Sequence, residues 1–364
     1  MGKEDLSLEE HFAEVEELKK RLKVILEKYP HYDTYFSLLR WLDSYDYDIE
    51  TAEVKMKQAF NYFEKFDIFE NTKFDSYDEF NEFLISHIPA TKYFPGGVMG
   101  TDKHGNILSM QPIGRVKPRI LMKLGRVSDF FRAIMLETEI SMAHLRKEEL
   151  KRGHRLHIIL LVDVAGFSLD TFYMPAIKIY FDSINILQDV VKRIDFLGDN
   201  WKDVLRDEFG EENILEYWGG SKTSSTSTGA IRMGGDIPID FLEKITSSFE
   251  IIHDENLTHA YIFAGDKLSL EFEILDVGTI LLWYFTVSKG DIDFWISFGD
   301  VEVQPVFRIS TEFVPEFGQI ICKEAGIYTV NFSNKRGRIR KKQINYSIKS
   351  KFHEKSQANF QSAS

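Results

Sequence analysis

One cysteine, Cys322, stands in 364 residues, so no disulfide can close within the chain and no structural zinc site is expected. The ten histidines show no ligand spacing either, and neither a metal nor another cofactor is expected. Positive charge is in short supply. With 45 Lys and Arg against 57 Asp and Glu the net charge is -12, which argues against nucleic acid as a partner, because phosphate contacts need a clustered basic face. Long apolar runs are missing too: "HIILLVDVAG" (157–166) and "VGTILLWYFTV" (277–287) fall well short of the ~20 residues that span a bilayer. Any membrane contact is therefore expected to be peripheral. The first thirty residues carry charged helical sequence where a secretory signal would have an apolar core, so the expected compartment is the cytosol. The sequons at Asn256, Asn331 and Asn345 are then chance matches. Leu6 occupies the position where a myristoylation signal at Gly2 needs Ser or Thr, so no lipid anchor is expected.

Catalytic signatures are absent as well. Gly96, Gly97, Gly100 and Gly105 are followed by no P-loop Lys-Ser/Thr, and no G-x-G-x-x-G opens a helix. Asp163 ends an apolar run without a nucleophile elbow or a second acid beside it, and is expected to cap a turn. The expectation is a non-enzymatic binding protein.

The pattern that is present begins with an apolar stripe, Leu8, Phe12, Val15, Leu18, Leu22, Ile25 and Tyr29, which predicts one amphipathic helix with a capping box at Ser7 and Glu10. Helical spacing returns over 33–44, 50–67 and 76–86, with a Tyr- and Phe-rich face read as core. "GGVMGTDKHGNILSMQPIG" predicts two short strands around a turn at Asp102 to Asn106, followed by a helix over 126–152. "RLHIILLVDVAG" predicts a strand buried on both faces of an α/β sheet, and a helix over 172–190 follows it. In "INILQDVVKRIDFLGDNW" (184–201) a helical pattern then runs into an alternating one with no Gly, Pro or Asn between them. From Gly219 to Gly235 Ser, Thr and Gly dominate and predict a linker. Beyond it period two takes over: Leu268, Leu270, Phe272 and Ile274, then the alternations around Phe294, Val330 and Tyr346. These predict an antiparallel sandwich.

The expected organisation is thus a helical module (1–87), an α/β domain (88–222), a linker (223–240), a sandwich (241–350) and a disordered tail (351–364). "NKRGRIRKK" (334–342) is the strongly basic cluster of an acidic chain, with Arg336, Arg338, Arg340 and Lys342 in one parity. It reads either as a solvated turn or as a contact for an anionic membrane surface.

Several of these segments resemble one family. "HYDTYFSLLRWLDSYDYDIETAEVKMKQAF" is similar to the helical module of CRAL-TRIO lipid-transfer proteins, and "PGGVMGTDKHGNILSMQPIG" and "HIILLVDVAGFSLDTFY" to strands of the lipid-binding domain. "EYWGGS" resembles the signature that closes that domain, and 246–349 resembles a GOLD domain. The resemblance implies a lipid ligand held in an apolar cavity, with Leu161, Phe167, Ser168, Thr171 and Phe172 as pocket residues and Tyr45 where family members reach an inositol phosphate. A phenol cannot supply the charged fork a phosphate prefers, so a neutral or zwitterionic lipid is expected before phosphatidylinositol. It also implies that the junction after "LQDV" lacks a strand, a turn and the gate helix, roughly thirty residues in all. Residues 193–197 are then expected to pair beside strand 156–163. The alternative is an adaptor with a degenerate pocket, whose GOLD sandwich binds a protein partner.

Overall fold

The computed structural model describes residues 11–69, 74, 76–179, 195–250, 257–337 and 339–351. The Ser7 and Glu10 capping box, most of the 184–201 junction, Arg338 and nearly all of the C-terminal tail lie outside the described residues. The chain divides into two compact units, Met1–Leu121 with Phe130–Ile237, and Met122–Asp129 with Pro238–Ser364.

In the first unit the opening stripe forms two helices, α1 (Phe12–Arg21) and α2 (Lys23–Lys28), where one was expected. The break is at Leu22 (φ -97, ψ 8), whose side chain stays buried with Leu18 and Leu26, so the apolar stripe survives the loss of helical geometry. The helices α3 (Tyr35–Ser44), α4 (Ile49–Lys65) and α5 (Tyr77–His87) each start at a side-chain cap: Thr34 accepts from Ser37 N, Asp48 from Glu50 N and Thr51 N, and Ser76 from Glu79 N. Their aromatic face is core, as helical spacing implies, with Tyr32, Phe60, Phe63 and Phe69 buried and Tyr29 stacked on Phe69 at 3.8 Å. After the short α6 (Pro118–Leu121) comes the long α7 (Val127–Arg152). Two buried ion pairs, Arg40–Glu149 and Arg146–Glu139, fill positions that apolar side chains do not.

The sheet of this unit has the order β1 (Gly97–Thr101), β2 (Ile107–Gln111), β3 (Ile158–Val162), antiparallel then parallel. The β1–β2 turn is organised by Asp102, whose Oδ1 accepts from His104 N and Asn106 N, both at 2.8 Å. Gly105 completes it at φ +97, a backbone region that glycine enters without strain.

Two expectations need correction here. First, β3 is not covered on both faces: Leu160 is 42% and Val162 48% exposed, and β2 is its sole neighbour in the sheet among the described residues. A run of β-branched residues and leucines reads as central whether or not a second neighbour exists. Second, residues 195–197 are irregular and exposed, Phe196 by 94%, and do not pair with β3. Two alternating apolar residues are too few to specify a strand. The chain turns instead at 199–200 into the helix Trp201–Phe209, which Leu205 and Phe209 anchor in the core beneath β2 and β3.

The Ser/Thr/Gly-rich stretch ends in packed structure. Gly96 and Arg232 exchange backbone hydrogen bonds at 2.9 and 3.0 Å, Ile231 is buried, and the Arg232 guanidinium donates to Glu137, Asn81 and the Phe94 carbonyl.

The second unit holds the helix Ile239–Glu250 and the strands β4 (Thr258–Ile262), β5 (Lys267–Ile274), β6 (Ile280–Val287), β7 (Asp291–Phe298), β8 (Val301–Ser310), β9 (Glu316–Ile321), β10 (Gly326–Ser333) and β11 (Lys342–Lys351). They form two four-stranded antiparallel sheets in the orders β5-β10-β7-β8 and β4-β11-β6-β9. The sheets meet through aromatic side chains: Phe285 of β6 lies 4.8 Å from Phe294 and 5.0 Å from Phe332. The alternating residues thus face inward, as period two requires. Met122–Asp129 is part of this unit, with the Arg126 guanidinium bound to the Phe317 carbonyl and Ser128 Oγ donating to Glu316 Oε1 at 2.8 Å.

Candidate functional site

The chain leaves β3 through Asp163. Its N–H donates to the Gln111 carbonyl at 3.0 Å and its carbonyl accepts from Gly114 N at 3.2 Å, so the ladder with β2 is carried one step further. Asp163 Oδ1 accepts from Ala165 N at 2.8 Å and Oδ2 from the Trp218 indole at 3.2 Å. Both carboxylate oxygens are engaged, one in a turn and one in holding the buried Trp218. Gly114 lets the two turns touch: a Cβ there would lie 2.3 Å from the Ala165 carbonyl oxygen.

Beyond that turn an apolar run stands open. Val162, Val164, Phe167, Leu169, Phe172 and Met174 are all exposed, Leu169 by 93%. Phe167 and Phe172 approach edge to face at 6.5 Å across the single 3-10 turn Leu169–Thr171. Thr171, which is buried, accepts from Ser168 N at 3.2 Å, and the two hydroxyl oxygens lie 3.3 Å apart. Residues 174–179 are helical.

Phe167, Ser168, Thr171 and Phe172, singled out from the sequence, are therefore gathered in one loop. Leu161 is adjacent but packs, with Ile159, against the cluster of Met110, Leu205 and Trp218. Leu160 and Val162 take the opposite face, and the sequence reading did not single them out. Strand parity carries that information once one face is assigned. Tyr45 ends α3, its ring stacked 6.4 Å from Trp41. Arg40, one turn earlier, is buried against Glu149, and burial pulls its pKa down while the carboxylate holds it up. At the other end of the sheet the Lys222 ammonium donates to the Met99 carbonyl at 2.5 Å, with its pKa lowered by burial. Such a surface offers apolar contact and a few hydroxyls, which suits an apolar ligand.

The basic cluster is divided in its roles. Lys342 begins β11 and pairs with Asp291 at 3.2 Å, while Arg336 reaches Asp293 at 3.4 Å. Arg340 lies in the exposed connection between β10 and β11, so Arg336, Arg340 and Lys342 do not share a strand face. Among the described residues there is no group of three His, Cys, Asp or Glu placed to hold a metal, and no helix long and apolar enough to cross a membrane.

No family model matches the chain. It is 20% identical over 310 residues to a CRAL-TRIO domain-containing protein of Caenorhabditis elegans, covering 74% of this chain and 42% of that one. It is 24% identical over 205 residues to the phosphatidylinositol/phosphatidylcholine transfer protein SFH9 of Arabidopsis thaliana, covering 56% of this chain and 32% of the relative. The chain thus spans less than half the length of these relatives. Among solved structures, a carbohydrate-binding module in complex with β-1,4-galactotriose covers 28% of this chain and 74% of its own at 17% identity, with a TM-score of 0.21, which carries no argument. The chain is similar in sequence to CRAL-TRIO and phospholipid-transfer proteins, and its mixed helix-and-sheet first unit followed by a β-rich second unit is compatible with that similarity.

Proposed function

We propose that the first unit binds a hydrophobic lipid and carries or presents it without changing it chemically. The observation that carries this reading is the exposed apolar run from Leu160 to Met174, in a chain similar to phospholipid-transfer proteins. A fully buried Leu or Phe side chain contributes about 1.5–3 kcal/mol, so covering these half-exposed groups with acyl chain supplies binding energy without a charged contact. The hydroxyls of Ser168 and Thr171 lie at the same place, with Asp170 between them in the sequence. Tyr45, where a basic residue would favour an inositol phosphate, points to a neutral or zwitterionic headgroup. In this reading the CRAL-TRIO domain lacks one strand and the gate helix, the second unit is a GOLD sandwich, and the protein works in the cytosol with transient membrane contact.

The test is transfer of a fluorescent phosphatidylcholine between vesicles by the full chain. The reading expects transfer above the spontaneous rate, and a loss of about ten-fold in Phe172→Asp, since one charge on an apolar contact surface removes its contribution and adds a desolvation cost. Equal transfer by both proteins rejects the proposed surface. That β2 is the sole sheet neighbour of β3 among the described residues favours a second reading, an adaptor whose pocket no longer encloses lipid and whose second unit binds protein. Absence of any lipid binding, together with partner capture that needs residues 238–351, selects it.

A further inference from the structure

In the second unit two loops are tied into one tip, and the tie is Asn334. Its backbone N–H donates to the Asp266 carbonyl at 2.9 Å, and its carbonyl accepts from Gly265 N at 3.1 Å. Its side-chain amide donates to the Ile262 carbonyl at 3.2 Å and the Arg340 carbonyl at 3.0 Å. Asn334 is itself buried, so the β4–β5 loop and the β10–β11 loop are held together by four hydrogen bonds around a fixed side chain. What this arrangement presents to solvent is apolar: Ile339 is 90% exposed, Phe263 60%, and Tyr261 is exposed beside them. Lys341 places its ammonium 4.4 Å from the Tyr261 ring centroid.

The charges around these side chains are of one sign with a single exception. Lys335, Arg340 and Lys341 are exposed, and no carboxylate stands within salt-bridge distance of them among the described residues. Asp266 is the acid of the two loops. Arg336, in the β10–β11 connection, pairs with Asp293, and Lys342, which begins β11, pairs with Asp291. A basic rim around exposed Ile, Phe and Tyr side chains, on a chain whose net charge is -12, is out of keeping with its surroundings.

We infer that this tip, formed by Phe263, Ile339 and Tyr261 with Lys335, Arg340 and Lys341, is a contact for an anionic membrane surface. The chemistry selects the partner. The ammonium and guanidinium groups meet lipid phosphates and carboxylates, the Tyr ring sits at headgroup level, and Ile339 and Phe263 enter the boundary of the acyl chains. A fixed tip loses little conformational freedom on binding. This inference stands on the second unit alone and does not depend on a lipid ligand in the first.

The experiment is flotation of the full chain with phosphatidylcholine vesicles, with and without phosphatidylserine. Each basic side chain near an anionic surface contributes about five-fold in affinity, so replacing Lys335, Arg340 and Lys341 together by Ala costs about a hundred-fold on anionic vesicles and nothing on neutral ones. Ile339→Asp costs about ten-fold or more, because an inserted apolar group becomes a charge. Ile339→Ser, milder in its effect on the loop, loses part of that. Added salt weakens the binding. All these positions are exposed, so the melting temperature of each variant stays at the parent value. The inference is overturned if the parent chain fails to bind anionic vesicles or binds neutral ones equally well. It is also overturned if the triple variant keeps the parent affinity.

Discussion

The indole Nε1 of Trp218 donates to Oδ2 of Asp163 across 3.2 Å, joining the "EYWGGS" segment to the end of β3. Trp218 is buried in the core cluster, so its N–H has to find an acceptor inside the fold, and the strand-end carboxylate is that acceptor. Asp163 is thereby a positioning group for the turn that leads into the open apolar run. Asp163→Ala is expected to destabilise the chain by about 1–3 kcal/mol, the cost of a buried donor left without its partner. Asp163→Asn, which keeps an acceptor oxygen, should recover most of this in urea denaturation.

Gly114 is the second constraint on that turn. An alanine there would put its Cβ 2.3 Å from the Ala165 carbonyl oxygen and 2.6 Å from that of Val164, both backbone atoms that cannot rotate away. Gly114→Ala is expected to cost about 1–3 kcal/mol or more and to displace the Phe167–Phe172 loop. Thermal unfolding reads the first effect. Lipid transfer, falling by more than the stability loss alone explains, reads the second.

Arg232 anchors the end of the Ser/Thr/Gly-rich stretch through a buried pair with Glu137 and through Asn81. Breaking a buried pair leaves one charge uncompensated, so Arg232→Ala is expected to lose about 3–5 kcal/mol. The double variant Arg232→Met, Glu137→Leu should be less damaged than the single one, because no unpaired charge remains.

Glu316 gives the second unit a pH dependence. Its carboxyl is buried, which pushes its pKa up to about 7, with Arg126 opposing and Asp129 adding to the shift. A carboxyl raised in the folded state binds protons more tightly there than in the unfolded chain. Its contribution is fully present below its ordinary value and is lost as pH rises through about 7. Stability of the second unit should therefore fall by about 3 kcal/mol between roughly pH 4.5 and 7 and then level off. Glu316→Gln should remove that slope. A slope unchanged in the variant would assign it to another group.

The parts of this fold that were legible in the sequence are those fixed locally. The Asp102 turn and the alternating strands of the sandwich each depend on residues within a few positions of one another. The remainder depended on distant neighbours. Whether β3 is central or an edge is decided by what lies beside it, and Leu160 and Val162 carry no mark of that in their own identities. The stretch before Arg232 reads as a linker because small polar residues dominate it, yet one isoleucine and one arginine suffice to pin it. In the candidate site Phe167, Ser168, Thr171 and Phe172 were singled out through the family resemblance, whereas the role of Asp163 towards Trp218 spans 55 positions and has no local signal.

Whether the exposed apolar run after β3 holds lipid is read by mass spectrometry of lipids that co-purify with the full chain. A lipid is expected in near-stoichiometric amount, with a neutral or zwitterionic headgroup, and depleted when Phe172→Asp is purified in the same way. A parent chain that carries no lipid, or a variant that carries as much as the parent, would contradict it.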